Sequence, residues 1–563
     1  MKIRLIYFIV LLFLCSFTGF VVHTSLSNYH YGINTHSNTS QLTSSWLCVF
    51  MMMILILLTF DLHQSLHKSI YTSSKKWIRF RMVLYIWYLI VSFLNMIALF
   101  ILRQSPGGVW SLLIMISSFL GLLITRSILT TNEFGQSHKR LMPKRIDEHE
   151  PTGSKGSEDS KSESDLQTLL ANGEDNAQEP EKKKKKNCLI TTNKILIKAL
   201  FYFLSTVVFL FFFFMMVHNM SAAKNYRTFR NLSGTEILID GLSDNKLQEQ
   251  QPKTFSMRID CQGTQKKVSN GTGYDPIVIL EAGGGSFGVS LIQLQIDLVK
   301  EGIRVCRYDR AGYGWSFLPT QWNRTKKQMI TELKQLLYLK GEKGPYIVAG
   351  HSVGGGLARV FAETYPKETE GIAIIDGYGD IWDSMYNQLK NKDESYTLNS
   401  RHSTLKLINL FRWFDVIGIT DPFIGKATNF YPTNRRKAYS ANYHTNRNWQ
   451  SQYSDFYSGL KEGLDPTKWI QELPNLGYMP IYVLLASKSY NATCEQMKLS
   501  GEKCKDRKTE IKSREAIASA LLGMSSDSSL FVCPFPSEHS FVWDNDHEWV
   551  SKHVINLFQK ISK

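Results

Sequence analysis

Long apolar runs without charge are the feature that most restricts how this 563-residue chain can fold. The runs Cys48–Leu58 and Phe209–Val217 contain no charged residue, and a helix needs about 20 mostly apolar residues to cross the hydrocarbon core of a bilayer. The first apolar stretch has the alternative interpretation of a cleaved signal peptide, because Lys2 and Arg4 precede it. Stretches of this character predict about five transmembrane helices, at Leu5–Val22, Trp46–Leu62, Met82–Leu102, Val109–Ile124 and Ile195–Val217.

The charge of the connecting loops predicts the orientation of these spans, since cytoplasmic loops collect Lys and Arg. The segment His23–Ser45 has neither residue, whereas the loop that ends near Arg81 and the segment with Lys182–Lys186 are basic. We therefore expect a multi-pass membrane protein in which everything after Val217 is extracellular or lumenal. N-glycosylation sequons agree with this orientation, at Asn38, Asn231, Asn270, Asn323 and Asn491.

The net charge of +16 does not indicate a nucleic-acid partner. Much of the basic excess lies beside apolar runs, so contact with the lipid bilayer explains it. The predicted parts of the chain are residues 1–126 with four spans, 127–192 as a disordered polar cytoplasmic loop, 193–218 as a fifth transmembrane helix, and 225–563 as a separate domain.

Short β-rich runs alternate with helical stretches in the last part, which predicts an α/β domain with a mostly parallel sheet of about eight strands. A helical lid is expected at about 377–477, where strand alternation is missing. The predicted strands are Glu236–Asp240 and Phe255–Asp260 as an opening pair, then Pro276–Glu281, Arg304–Asp309, Tyr346–Gly350, Gly371–Asp376, Pro480–Ala486 and Ser529–Cys533.

A candidate nucleophile, Ser352, stands in the motif Gly350-His351-Ser352-Val353-Gly354. The motif follows an apolar strand and opens a helix, which is the setting of a nucleophile elbow. Glycine is needed on both sides because a side chain there would collide with neighbouring backbone. The alternative is a glycine-rich turn with an incidental serine.

With two further motifs, residues 236–560 resemble the α/β-hydrolase superfamily. These motifs are Val278–Gly285 after one strand and Tyr308–Ser316 after the next, and in the second one Asp309 and Arg310 match residues that brace the elbow loops. The resemblance implies an α/β-hydrolase fold and a serine hydrolase that cleaves an ester or amide, on a small-molecule or lipid substrate. It implies no metal and no organic cofactor.

The resemblance also assigns the groups around the nucleophile. The backbone N–H groups of Gly284 and Val353 are the expected oxyanion-hole donors, although Ala282 replaces the histidine of the family's His-Gly-x motif. The chain order of serine, acid and histidine leaves His539 as the expected general base.

The acid of the triad stays open at the level of sequence. We favour Asp376, which ends the sixth predicted strand, a position from which some superfamily members supply the acid. Glu495 and Asp506, both beyond the seventh strand, are the alternatives.

Apolar residues in Leu405–Ile419 favour a lipid-like or other apolar ester, with packing of the lid as an equal explanation. Two other functions stay open: a catalytically inactive binding or adhesion module on this fold, and a transporter or receptor that works through its spans. Cys494 and Cys504 predict a disulfide in an oxidising compartment, with alternative partners in Cys261, Cys306 and Cys533.

Overall fold

The structure is a computed structural model of the chain. It describes residues 16–17, 45–56, 58, 75–101, 109–126, 199, 203, 206–225, 227–240, 254–267, 273–317, 324–377, 381–419, 433–443, 446–459, 465–543 and 546–562. The predicted cytoplasmic loop 127–192 lies outside the described residues, as does nearly all of the predicted span Leu5–Val22.

Within the described residues, four apolar helices precede the sheet: α1 (Ser45–Ile56), α2 (Lys75–Ile101), α3 (Val109–Arg126) and α4 (Thr206–Ser233). The part Arg79–Leu99 of α2, and α3 and α4, are long and apolar enough to cross a membrane, whereas α1 is shorter. They overlap with four of the predicted spans, but α4 continues past the predicted end of its span at Val217 to Ser233. Their insertion in a bilayer stays a prediction.

The chain divides into two compact units, the first formed by Met1–Ser16, Phe50–Ser92 and Leu113–Phe213, the second by Phe17–Val49, Phe93–Leu112 and Phe214–Lys563. Aromatic rings pack inside the first unit. The ring centroids of Phe50 and Phe212 lie 4.7 Å apart, and those of Tyr88 and Phe209 lie 5.1 Å apart. Such packing suits apolar helices, since each ring buries a large area.

An eight-stranded sheet forms the centre of the second unit. Its strands are β1 (Thr235–Asp240), β2 (Thr254–Gln262), β3 (Ile277–Glu281), β4 (Val305–Asp309), β5 (Tyr346–His351), β6 (Thr369–Ile375), β7 (Ile481–Ala486) and β8 (Ser528–Cys533). They lie in the order β1-β2-β4-β3-β5-β6-β7-β8. The pairs β1–β2 and β2–β4 are antiparallel, and all other neighbours are parallel. The prediction of about eight mostly parallel strands with an opening pair is confirmed.

Helices cover both faces of this sheet, because alternate residues of a strand point to opposite sides. The helices after β3 are α5 (Ile292–Lys300), α6 (Lys326–Lys340), α7 (Val353–Thr364), α8 (Trp382–Leu389), α9 (Glu394–Asp415), α10 (Thr433–Tyr443), α11 (Asn446–Ser458), α12 (Pro466–Gln471), α13 (Ser487–Tyr490), α14 (Gly501–Leu522) and α15 (His547–Ile561). Ile279 and Val348 share one buried cluster with α6, α7 and α14, whereas Leu280 and Ala349 share the other with α5 and α15.

Helices α8 to α12 lie between β6 and β7, where the sequence predicts a lid. Leu405 and Ile408 of α9 are buried with Tyr453 of α11 in a small cluster of their own, while Leu407 and Leu410 are half-exposed. These contacts give the apolar segment of α9 a packing role within the lid.

The parallel strands bring the predicted site residues to one edge of the sheet. Strands β3, β5 and β6 end at Glu281, His351 and Ile375, immediately before the glycine-rich loop, Ser352 and Asp376. The carboxyl ends of parallel strands are where open α/β sheets bind ligands.

Candidate active site

Ser352 lies in the tight turn between β5 and α7. Its backbone has φ +55° and ψ −123°, a left-handed conformation that persists only where the surroundings impose it. The Ser352 N–H donates to the Ile375 carbonyl at 2.9 Å. A Cβ at Gly350 would lie 2.0 Å from the Gly354 oxygen, and a Cβ at Gly354 would lie 2.5 Å from the Glu281 oxygen. Both flanking positions therefore require glycine.

A carboxylate and an imidazole meet at the end of the neighbouring strand. Asp376 Oδ2 lies 2.5 Å from His539 Nδ1, and Asp376 Oδ1 accepts the Ala486 N–H at 3.2 Å. Burial raises the pKa of Asp376, but hydrogen bonds from His539 and Ser489 lower it by more, so the pKa lies below its ordinary value. The carboxylate is charged and accepts the Nδ1 proton of His539, which leaves Nε2 as the basic nitrogen.

The other candidate acids lie elsewhere. Glu495 is exposed after α13, and Asp506 on α14 forms an ion pair with Lys390. Among the described residues, Asp376 alone offers a carboxylate to His539.

His351, the residue before Ser352, connects the turn to the loop that carries His539. Its Nε2 donates to the His539 carbonyl at 2.9 Å, and the two rings lie 4.7 Å apart. Burial, with a smaller effect of His539, lowers the pKa of His351 to about 3. In the described residues the Ser352 hydroxyl makes no hydrogen bond with His539, a contact that often tightens only when substrate binds.

The glycine-rich loop after β3 packs against the start of α7. A Cβ at Gly283 would lie 3.2 Å from Ser352 Cβ, and a Cβ at Gly284 would lie 3.1 Å from Val353 Cγ2. The backbone of the glycine-rich loop and the N-terminus of α7 thus lie together beside the serine. Backbone donors fixed next to a nucleophile are able to stabilise an oxyanion.

A cavity of about 330 Å³ adjoins this loop. The sequence motifs identify only some of the residues that line it. Arg401 donates to both carboxylate oxygens of Asp383, at 2.6 and 2.8 Å, and Tyr313 donates to Asp455 at 2.6 Å. Tyr313 belongs to the motif Tyr308–Ser316, whereas Asp383, Arg401 and Asp455 lie in the lid and belong to no motif. The lining residues are Gly284, Gly285, Tyr313, Val353, Trp382, Asp383, Arg401, Asp455, Phe456 and Gly459.

Comparison with known proteins agrees with this architecture. Residues 275–407 match a family model described as alpha/beta hydrolase fold. The eight-stranded sheet and the helices that cover it have an α/β-hydrolase fold.

Individual relatives match parts of the chain. Over 103 residues it is 34% identical to "Probable transporter efuK" of Hormonema carpetanum, covering 18% of this chain and 14% of that protein. Over 155 residues it is 24% identical to Lipase 1 of Psychrobacter immobilis, covering 27% of this chain and 46% of that protein. The chain spans less than half the length of the curated relatives it matches. A solved thermophilic esterase of Thermogutta terrifontis aligns with 16% identity and a TM-score of 0.39, over 59% of this chain and 100% of that one.

Two disulfides lie in the α/β-hydrolase domain. The predicted pair Cys494–Cys504 is confirmed. Cys261 and Cys306, which the sequence leaves as other partners or buried thiols, are bonded to each other across β2 and β4. With Glu342 they form the one group of the described residues that has metal-ligand spacing, but bonded sulfurs are not thiolate ligands.

Proposed function

We propose that the protein is a membrane-anchored, extracytoplasmic serine hydrolase that cleaves an ester or amide. The observation that carries the proposal is the 2.5 Å contact of His539 Nδ1 with Asp376 Oδ2, at the sheet edge that also holds the strained Ser352 turn. A serine, a histidine and a carboxylate that meet at the carboxyl ends of parallel strands are the components of a catalytic triad. Three apolar helices among the described residues are long enough to span a membrane, and together with the basic loops of the sequence they support anchoring.

In the proposed mechanism, Ser352 attacks the substrate carbonyl carbon while His539 Nε2 accepts the hydroxyl proton. Asp376 orients the imidazole and stabilises its charged form. The N–H groups of Gly284 and Val353 bind the oxyanion of the tetrahedral intermediate. His539 then protonates the leaving group, and a water molecule activated by the same histidine hydrolyses the acyl-enzyme.

The cavity beside the glycine-rich loop supports a compact apolar group on the substrate. Its volume of about 330 Å³ is near the lower end of small-molecule sites, which measure about 300–1,000 Å³. Tyr313, Trp382 and Phe456 give it aromatic walls, and the Asp383–Arg401 pair is internally neutralised. An ester with a short or medium acyl chain fits these walls.

Covalent labelling tests the nucleophile. Full-length protein in membranes is treated with a fluorophosphonate probe, and we expect labelling of wild-type protein and none of Ser352→Ala. A folded wild-type protein that neither reacts with the probe nor hydrolyses a series of p-nitrophenyl esters would favour the binding-module alternative.

Paired neutral substitutions test the acid. We expect Asp376→Asn to lower kcat by several orders of magnitude with KM nearly unchanged, as the loss of the corresponding group costs about 10⁴-fold in a serine protease. Glu495→Gln, the matched control, should keep wild-type kinetics. The reverse pattern, in protein shown by circular dichroism to be folded, would transfer the role to Glu495.

A further inference from the structure

Arg310 is a buried cation that the mechanism above does not use. It directly follows β4 and is 3% exposed. Its guanidinium donates to the carbonyl oxygens of Ala282 and Gly283, the second at 2.6 Å. Both carbonyls belong to the glycine-rich loop after β3, so the cation contacts the backbone of the proposed oxyanion loop.

The Gly283 carbonyl and the Gly284 N–H belong to the same peptide group. A trans peptide is planar, with its C=O and N–H pointing in opposite directions, so a fixed oxygen also fixes the direction of the N–H. The Ser286 N–H donates to the same oxygen at 3.2 Å, which holds this peptide at a second point. A cation on the oxygen also polarises the peptide, and this strengthens the N–H as a donor.

A carboxylate keeps Arg310 charged in its buried position. Glu281 Oε1 lies 2.7 Å from the guanidinium, Tyr308 donates to the same carboxylate, and the Tyr313 ring lies 4.8 Å below the guanidinium. Burial alone lowers the pKa of Arg310, but Glu281 and the groups around it raise the pKa above its ordinary value. Arg310 therefore stays positively charged behind the glycine-rich loop.

We propose that Arg310 is a positioning residue of the oxyanion hole, which orients and polarises the peptide whose N–H, that of Gly284, binds the substrate oxyanion. This inference rests on the proposed function and deepens it. Arg310 acts through the peptide and touches no reacting atom. Because the substrate oxygen carries a full negative charge only in the tetrahedral state, removal of Arg310 changes kcat rather than KM.

Arg324 provides a matched control for the loss of a buried arginine. It is 2% exposed, pairs with the buried Glu332, and donates to the Ala311 carbonyl. Its contacts therefore do not include the glycine-rich loop. Arg310→Met and Arg324→Met each leave one buried carboxylate without its cation, so both variants lose stability for the same reason.

Kinetics of the two full-length variants test the proposal. We expect Arg310→Met to lower kcat for a p-nitrophenyl ester by about 10- to 100-fold with KM nearly constant, less than the roughly 10²- to 10³-fold loss that follows removal of a whole donor. A trifluoromethyl ketone, which forms an oxyanion adduct with a catalytic serine, should bind more weakly by a similar factor. Folded Arg324→Met should keep the wild-type kcat and inhibitor affinity.

Arg310→Lys keeps the test decisive if Arg310→Met does not fold. Lysine retains the charge, but its single ammonium lacks the planar fork that reaches two carbonyls, so we expect a smaller loss confined to kcat. A kcat equal to that of Arg324→Met in the folded variant, or a raised KM with unchanged kcat, would overturn the proposal. Failure of the proposed function gives a different result, since the wild-type protein itself would then lack turnover and labelling at Ser352.

Discussion

Backbone atoms around the Ser352 turn leave no room for a side chain at Gly350 or Gly354. The local motif predicts this turn from five consecutive residues, because its requirements are steric and lie close together in sequence. The choice of Asp376 over Glu495 has a different origin. It depends on which strand end faces the loop of His539, and residues 163 positions apart make that contact. The sequence therefore favours Asp376 only through the resemblance, whereas the contact itself depends on the fold.

Two glycines of α7 allow the steric requirement to be tested. A Cβ at Gly354 would lie 2.5 and 2.7 Å from the backbone oxygens of Glu281 and Ala282, whereas a Cβ at Gly356 meets nothing within 4 Å. We expect Gly354→Ala to lower stability by about 1–3 kcal/mol through overpacking and to abolish probe labelling. Gly356→Ala should gain about 0.5–1 kcal/mol from its better helix propensity. Thermal denaturation measures the stability change of each variant. Equal changes in Gly354→Ala and Gly356→Ala would contradict the steric account.

His351 predicts a pH dependence of stability. Its pKa is about 3 in the folded protein and 6.5 in an ordinary environment, so the unfolded chain takes up this proton first as the pH falls. The stabilisation is complete above pH 6.5 and is lost progressively toward about pH 3, by at most about 1.4 kcal/mol per pH unit.

His351→Gln removes this titration and keeps a side-chain N–H that is able to donate to the His539 carbonyl. Between about pH 6 and 4.5, the unfolding temperature of the variant should fall less steeply than that of the wild type. Asp376 and His539 remain in both proteins, so parallel curves would show that His351 does not contribute.

At the scale of elements, strands follow from the sequence more directly than lid packing does. A strand buried on both faces is a nearly continuous apolar run, and Tyr346–Ala349 in β5 is one example. The lid helices depend instead on distant partners: Phe411 of α9 stacks on Trp449 of α11 with a centroid distance of 5.3 Å. The sequence marks both residues as apolar but does not pair them.

Phe456 of α11 predicts how the lid limits the substrate. It lines the cavity and is 46% exposed, so Phe456→Ala enlarges the cavity with little loss of core packing. We expect kcat/KM to shift by about tenfold in favour of longer acyl chains, measured with p-nitrophenyl esters from acetyl to dodecanoyl. Leu410→Ala, at a lid residue 51% exposed outside the cavity wall, is the control. The same shift in both variants would assign the effect to lid stability.

For the whole molecule, orientation across the membrane is the main prediction that the fold leaves untested. Both disulfides lie after α4, and disulfides persist in oxidising compartments. The cross-strand pair was not predictable, because it depends on the register that places Cys261 opposite Cys306.

Protease access measures this orientation. In sealed, right-side-out vesicles, an added protease should digest the α/β-hydrolase domain and leave an epitope tag inserted within residues 127–192 intact. The same tag should become sensitive when detergent opens the vesicles. Protection of the domain together with digestion of the tag before detergent is added would reverse the proposed topology.

The bond between Cys261 and Cys306 also has a mechanical consequence. Helix α4 ends at Ser233 and β1 begins at Thr235, so tension applied through α4, the proposed membrane anchor, would reach the edge strand β1 first. At Cys261 the disulfide passes the force directly to Cys306, so the covalent loop of 45 residues withholds about 150 Å of contour length from extension. Strand β3 and Gly284 lie inside this loop. If α4 is the anchor, we expect pulling on it to detach the edge strand β1 first, while the segment that carries the proposed oxyanion donor Gly284 stays closed by the disulfide.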